Sequence, residues 1–88
     1  MRDRSEICGR LTNRGLVAVI RTPRQEDVLP VCEALLDGGV DALEITLTVP
    51  NALKVIQEAR ERFGPKIVLG AGTVTTTHAC RDAIGAGA

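Results

Sequence analysis

The sequence predicts an α/β fold built on a parallel sheet. Three apolar segments suited to strands alternate with three amphipathic segments suited to helices, in units of about 25 residues, after one leading helix. The first apolar segment, residues 16–20, is uninterrupted, as expected of a strand that is buried on both faces. Repeated βα units of this size build both (β/α)8 barrels and doubly wound sheets, and the periodicity alone does not separate the two.

The composition is that of a small globular domain with an aliphatic core. Of the 88 residues, 44% are hydrophobic and 25% are charged, and Phe63 is the sole Phe, Tyr or Trp. The formal net charge is zero and no block of like charges occurs, so neither nucleic acid nor a membrane is expected as a partner. No stretch resembles a signal peptide or a transmembrane helix. A cytoplasmic location is therefore expected, with the three cysteines as reduced, buried or partly buried thiols.

The first half of the chain carries clear signals for the ends of helices. A leading helix is predicted over residues 4–14, and Thr22 and Pro23 stand where the cap and first residue of the next helix belong. Pro30 lies inside that second helical pattern, where it should bend the helix or leave its first turn poorly formed. The Gly-Gly pair at 38–39 is expected to end this helix, because glycine tolerates the left-handed conformation found there.

The second predicted strand, residues 40–47, combines an apolar face with a polar face. Glu44 and Thr46 share the polar face, and Thr48 follows just beyond the strand. A carboxylate inside a parallel-sheet strand is unusual, because burying a charge is costly. The apolar positions of this strand are Leu43, Ile45 and Leu47. The remaining predicted elements are a helix over 50–63, a strand over 66–72 and a threonine-capped helix over 76–86.

Polar residues stand at the carboxyl ends of the predicted strands, where ligands bind in either α/β architecture. Arg21 ends the first strand, and Thr73 follows the third. The second carries Glu44 and Thr46 on one face, with Thr48 just beyond its end. A small anionic substrate held by Arg21 and Thr73 would lie near a carboxylate able to move protons. Each residue also has a structural interpretation: Arg21 as an exposed arginine, Glu44 as half of an ion pair, and Thr73 as a helix cap. The glycines before Thr73 fit close packing and do not form a nucleotide-binding fingerprint.

Four segments of the chain are distinctive in combination: LVAVIR at 16–21, GGV at 38–40, LEITLTVP at 43–50 and GAGTV at 70–74. Together they resemble the opening part of the 2-keto-3-deoxy-6-phosphogluconate (KDPG) aldolase family. Members of this family are often bifunctional with 4-hydroxy-2-oxoglutarate (KHG) aldolase. The resemblance covers residues 14–88, and the order and spacing of LEIT and GAGTV make it fairly specific.

The resemblance implies a (β/α)8 barrel, of which residues 1–88 would form the leading helix and the first three βα units, an incomplete barrel. It implies a homotrimeric class I aldolase that cleaves a small phosphorylated 2-keto acid to pyruvate and glyceraldehyde 3-phosphate. Neither a metal nor another cofactor is implied, because a lysine forms a Schiff base with the keto carbon. The resulting iminium accepts the electrons of the broken carbon–carbon bond.

The resemblance also implies roles for individual residues. Glu44 matches the general acid/base carboxylate of the family, and Thr73 matches a threonine that contacts the carboxylate end of pyruvate. Arg21 matches an arginine of the substrate pocket in part of the family. Some members have an arginine where this chain has Thr48, which is kept as a candidate substrate-binding residue.

The lysine of the family lies on the sixth strand, and neither lysine of this chain matches it. Lys54 falls on a predicted helix. Lys66 falls at the amino end of the third strand, away from the carboxyl ends where the candidate site residues lie. We therefore expect the N-terminal part of an aldolase that is marginally stable and inactive alone. Two alternatives stay open: a structural half-barrel that associates with another chain, and part of another phosphate-binding barrel enzyme. The substrate, of gluconate, galactonate or hydroxy-oxoglutarate type, also stays open.

Overall fold

The structure describes residues 3–88, except for the side chain of Arg14. Its main elements are four α-helices and three strands. A computed structural model gives their order as α1 (Arg4–Arg14), β1 (Ala18–Ile20), α2 (Val28–Asp37), β2 (Ala42–Thr46), α3 (Ala52–Phe63), β3 (Val68–Gly72) and α4 (Thr77–Ala86). The predicted domain starts at Met1, so its first two residues lie outside the described residues. Within residues 3–88, no helix has the length and apolar character needed to cross a membrane.

The three strands form one parallel sheet in the order β1-β2-β3, which confirms the predicted α/β arrangement. In the β1–β2 register, Val19 lies beside Glu44. In the β2–β3 register, Glu44 lies beside Gly70 and Thr46 lies beside Gly72. The side chains of these paired positions therefore belong to one face of the sheet.

The strands are shorter than the sequence predicts. β1 begins at residue 18 instead of 16, β2 covers 42–46 instead of 40–47, and β3 begins at 68 instead of 66. Apolar runs indicate burial, whereas the bounds of a strand depend on backbone pairing. The N–H of Val40, for example, donates to the carbonyl of Leu35 at 2.9 Å and so closes the end of α2 instead of joining the sheet. The expected glycine-induced end of α2 is confirmed, with Gly39 in the left-handed region at φ 94°.

The core lies between one face of the sheet and the helices α2 and α3. The residues that alternate with Val19, Glu44 and Gly70 along the strands are apolar and are buried in this layer. They meet helical residues that follow the predicted 3.6-residue spacing. The strand members of this cluster are Ile20, Leu43, Ile45 and Leu69, and the helical members include Val28, Cys32, Val55, Ile56 and Ala59.

The start of α2 differs from the prediction. Thr22 does not cap the helix, because its hydroxyl donates to the carbonyl of Arg24 at 2.7 Å within the connecting loop. A 3-10 turn over residues 25–27 comes first, and α2 begins at Val28. Pro30 explains the delay: it has no N–H to donate, and its ring would clash with the carbonyl four residues earlier in a regular helix. The poorly formed first turn expected from Pro30 is thus confirmed.

Arg10 joins α1 to the amino ends of two strands. Its guanidinium donates to the carbonyls of Pro65 and Lys66, both at 3.1 Å, just before β3. It also pairs with the carboxylate of Asp41, which precedes β2, at 3.0 Å. The predicted leading helix is therefore tied by one side chain to the end of the sheet opposite the carboxyl ends of the strands.

Replacement of Arg10 by alanine should lower the free energy of unfolding by about 1.5–3 kcal/mol, because hydrogen bonds to a partly buried charged group are lost. Arg24→Ala is the control. Its ion pair with Glu26 is equally short at 3.0 Å but exposed on both sides, so its loss should cost less than about 1 kcal/mol. Urea titration followed by circular dichroism measures both. Equal losses for the two variants would contradict an anchoring role for Arg10.

The three cysteines differ in exposure, which corrects the expectation that all are buried or partly buried. Cys32 lies in the core, whereas Cys8 and Cys80 are exposed. On α1 the half-buried positions are 7, 10 and 11, so Cys8 falls on the outer side of the helix. Burial raises the pKa of the Cys32 thiol from its ordinary value of 9.0 to about 11.

The stability of the folded chain should fall between pH 9 and pH 11 because of Cys32. The folded state keeps this thiol protonated while the unfolded state releases the proton, so the stabilisation is complete below pH 9 and lost as the pH rises through 11. The loss amounts to roughly 3 kcal/mol. The urea midpoint should fall less steeply with pH in Cys32→Ala than in the parent chain. In Cys80→Ala it should fall with the same slope as in the parent chain. An identical slope in all three proteins would refute this assignment.

Candidate active site

The predicted site residues lie along the carboxyl ends of three adjacent parallel strands. Arg21 follows the last residue of β1, Thr48 lies two residues beyond β2, and Thr73 directly follows β3. Glu44 lies within β2, two residues before its end. Because the strands are parallel neighbours, these four residues belong to the same end of the sheet, as the sequence predicts.

Glu44 projects from the face of the sheet opposite the core. Its neighbours in the chain, Leu43 and Ile45, are buried against the helices, and alternation along a strand sends the side chain between them the other way. Glu44 itself is half-buried. No salt bridge among the described residues involves Glu44, so the alternative of a structural ion pair has no partner there. The carboxylate is positioned by packing and not by an opposite charge.

Gly72 lies against the Glu44 carboxylate. A Cβ atom placed on Gly72 would overlap Oε1 of Glu44 and lie 3.1 Å from its Cδ. Glu44 is paired in register with Gly70, so its side chain leans two residues along β3 toward the carboxyl end. The carboxylate consequently lies beside the junction between Gly72 and Thr73. The close-packing interpretation of the glycines therefore holds at Gly72, although the sequence does not identify Glu44 as the group packed there.

A second polar group on the same face is a pair of threonine hydroxyls. Oγ1 of Thr46 lies 3.0 Å from Oγ1 of Thr48, and Thr46 is only 3% exposed. The register beside it is fixed by a backbone hydrogen bond of 2.6 Å from the N–H of Leu47 to the carbonyl of Gly72. Thr46 is predicted from the sequence to lie on the polar face with Glu44, but it is not among the predicted substrate-binding residues. The pair offers hydroxyl hydrogen-bonding capacity next to the carboxylate.

Thr73 and Arg21 are exposed, as is Thr48. The interpretation of Thr73 as a helix cap is wrong, because the cap of α4 is Thr76, whose hydroxyl accepts from the N–H of Ala79 at 3.0 Å. Among the described residues, no hydrogen bond or ion pair joins Arg21 to another side chain. The structure thus brings Glu44 close to Gly72, the residue before Thr73. Arg21 is a separate cation at the end of β1.

Neither lysine of the chain lies among these residues. Lys66 is in the 3-10 turn before β3, at the amino end of the sheet. Lys54 is in the first turn of α3, where it lines a groove of about 560 Å³ between α3 and α4. Leu47 lines the same groove and continues the helix-covered face of β2. The site as described can therefore transfer protons and bind anions, while the amine for a Schiff base would have to come from elsewhere.

Comparisons with known proteins point to one enzyme family. The family model for KDPG and KHG aldolase matches residues 7–88. The 2-dehydro-3-deoxy-phosphogluconate aldolase of Pseudomonas aeruginosa is 40% identical over 73 residues, covering 83% of this chain and 33% of that protein. The KHG/KDPG aldolase of Escherichia coli K12 is 35% identical over 78 residues, covering 89% and 36%.

A solved structure agrees in fold as well as in sequence. The KDPG aldolase of Legionella pneumophila, with pyruvate captured as a covalent carbinolamine intermediate, matches with a TM-score of 0.75 and 42% identity. The match covers 82% of this chain and 34% of that one. The chain spans about a third of the length of these relatives. By its match to the family model across almost its whole length, the chain belongs to the KDPG and KHG aldolase family.

Proposed function

We propose that this chain supplies the acid/base part of a class I aldolase that cleaves a phosphorylated 2-keto-3-deoxy acid to pyruvate and an aldehyde. The observation that carries the proposal is the Glu44 carboxylate, half-buried and held against Gly72 at the carboxyl end of the sheet. A carboxylate that has no salt-bridge partner within the described part of the chain, at that end of a parallel α/β sheet, is suited to proton transfer.

In the proposed reaction, an amine from another part of the enzyme forms an iminium with the keto carbon of the substrate. Glu44 removes the proton of the C4 hydroxyl, the C3–C4 bond breaks, and its electron pair moves into the iminium to give an enamine and the aldehyde. The protonated Glu44 then returns a proton to C3, and hydrolysis of the imine releases pyruvate. One carboxylate in two protonation states thus serves both halves of the cycle.

The polar residues around Glu44 would bind the substrate. Thr73, next to the carboxylate contact, is suited to the carboxylate end of the keto acid, since its hydroxyl and backbone N–H both donate. Arg21 adds a cation at the end of β1 for an anionic group. The hydroxyls of Thr46 and Thr48 are suited to the substrate hydroxyls.

The complete enzyme would be larger than this chain. Relatives about three times as long support a (β/α)8 barrel, in which residues 1–88 contribute the leading helix and the first βα units. The reactive lysine would belong to a later unit, so this chain alone would be inactive. The homotrimeric assembly and cytoplasmic location implied by the family resemblance are part of the proposal, and three free cysteines are compatible with that location.

The test is a completed chain, in which residues 1–88 are joined to the remaining two thirds of the Pseudomonas aeruginosa relative. Incubation with pyruvate and borohydride should trap one reduced pyruvate per completed chain, detected by mass spectrometry. The 88-residue chain alone should trap none at Lys54 or Lys66. A folded completed chain that neither traps pyruvate nor cleaves the substrate would refute the proposed function, and trapping by the 88-residue chain would refute its inactivity.

One observation favours the second candidate, a half-barrel that associates with another chain. Leu16, two residues before β1, and Val19, within it, are 57% and 60% exposed, and β1 pairs on one side only within the described residues. An exposed apolar edge strand of this kind promotes pairing with another polypeptide. Light scattering after size-exclusion chromatography tests it, because a monomeric 88-residue chain that stays soluble would count against this candidate.

A further inference from the structure

We infer that Gly72 is a positioning residue for Glu44: the missing side chain at this position lets the carboxylate lie over β3 at the carboxyl end of the sheet. The inference rests on the proposed function, in which Glu44 transfers protons. It adds a second strand to the acid/base machinery, since the orientation of a β2 side chain is set by a residue of β3.

The geometry distinguishes Gly72 from the other glycine on the same face of the same strand. A Cβ on Gly72 would overlap Oε1 of Glu44 and approach its Cδ to 3.1 Å. A Cβ on Gly70 would meet only the carbonyl oxygen of Leu43 at 3.9 Å, an ordinary van der Waals contact. Gly70 is nevertheless the residue paired with Glu44 in register. Strand pairing therefore does not explain why position 72 requires a residue without a side chain. The direction of the Glu44 side chain, which extends along β3 toward position 72, does explain it.

The backbone gives no separate reason for glycine at 72. Its φ lies outside the left-handed region that side chains avoid, which among the glycines is occupied by 15, 39, 64 and 87. Alanine can therefore adopt the backbone conformation at 72. The atoms that a methyl group would meet belong to the flexible end of Glu44, so the fold can accept the methyl if the carboxylate moves away.

The expected effect of Gly72→Ala is a displaced carboxylate in a chain that still folds. A shift of about 1 Å in a catalytic group lowers the rate by about 10- to 100-fold. The substrate-binding residues stay in place, so the loss should fall on kcat more than on KM. Gly70→Ala is the matched control, with the same substitution in the same strand and on the same face, and it should change kcat less than about three-fold.

Shortening the carboxylate side chain should relieve the overlap. In a Glu44→Asp background the acid is one methylene shorter, so the methyl at 72 has little to displace. Gly72→Ala should then lower kcat less than about three-fold relative to Glu44→Asp alone. If Gly72 were needed only for packing of the sheet, Gly72→Ala would reduce activity equally with Glu44 and with Asp at position 44.

Two measurements test the inference, one of which needs no catalysis. In the 88-residue chain and in the completed chain, a nuclear Overhauser contact between the Glu44 Hγ protons and the Gly72 Hα protons is expected, and it should survive Gly70→Ala. In the completed chain, kcat and KM are measured for the single and double variants. If the unsubstituted completed chain is inactive but shows the contact between Glu44 and Gly72, the proposed function is refuted and the inference about Gly72 is not. The inference is overturned by absence of the contact in both folded proteins, by equal losses in Gly70→Ala and Gly72→Ala, or by a loss that persists in the Glu44→Asp background.

Discussion

Replacement of Glu44 by glutamine in the completed chain should lower kcat for substrate cleavage by about 10²- to 10⁴-fold, the usual contribution of a general acid/base group. Glutamine keeps the size of the side chain and one acceptor oxygen, but it can neither accept nor release the transferred proton. KM should change little, because substrate binding is assigned to Arg21 and Thr73. Steady-state assay of pyruvate release measures both constants, and circular dichroism checks that the fold is retained.

The control for Glu44→Gln is Glu58→Gln. Glu58 is half-buried like Glu44, has no salt bridge among the described residues, and lies on α3 on the core side of the sheet. Loss of its charge should leave kcat within about two-fold of the parent. Pyruvate trapping by borohydride should persist in Glu44→Gln if the lysine reacts normally. Undiminished turnover in Glu44→Gln would refute the acid/base role of Glu44 without affecting the assignment of the chain to the aldolase family.

The face on which Glu44 lies could be predicted from sequence because the period of a strand is two residues. Leu43 and Ile45 had to face the helices, so the carboxylate had to project from the other side. The parallel order of the strands followed from the alternation of elements in the same way. Both predictions rest on local patterns, and both are confirmed.

Features that depend on contacts distant in the sequence could not be predicted. Alternation places Glu44 beside Gly70, but it does not say that the side chain leans toward Gly72. Arg10 reaches Asp41 and Pro65, which are 31 and 55 residues away, and its position in a polar helix gives no sign of these partners. The delayed start of α2 had a local cause in Pro30, yet the competing cap signal at Thr22 was equally plausible in the sequence.

Replacement of Ile56 by alanine should unfold much of the 88-residue chain. Ile56 is fully buried, at 0% exposure, in the cluster between α3 and the sheet. Loss of a buried isoleucine costs about 2–5 kcal/mol, through lost transfer free energy and the cavity left behind. A domain of this size has a total stability of about 4–13 kcal/mol, and an open sheet with unpaired edges is expected near the lower limit. The cost is therefore comparable with the whole stability of the chain.

Ile84→Ala separates burial from helix propensity. Ile84 is also helical, in α4, but is 49% exposed. Both substitutions exchange isoleucine for alanine in a helix and gain the same few tenths of a kcal/mol in propensity, so the difference between them reports the core contact alone. Ile84→Ala should lower the urea midpoint only slightly, while Ile56→Ala should abolish the cooperative transition or shift it to low urea. Thiol labelling gives an independent readout, because Cys32 in the same cluster should react with a thiol reagent in Ile56→Ala at a rate near that of the exposed Cys80. Equal midpoints for the two isoleucine variants, with Cys32 protected in both, would mean that the layer between α3 and the sheet does not hold this chain together.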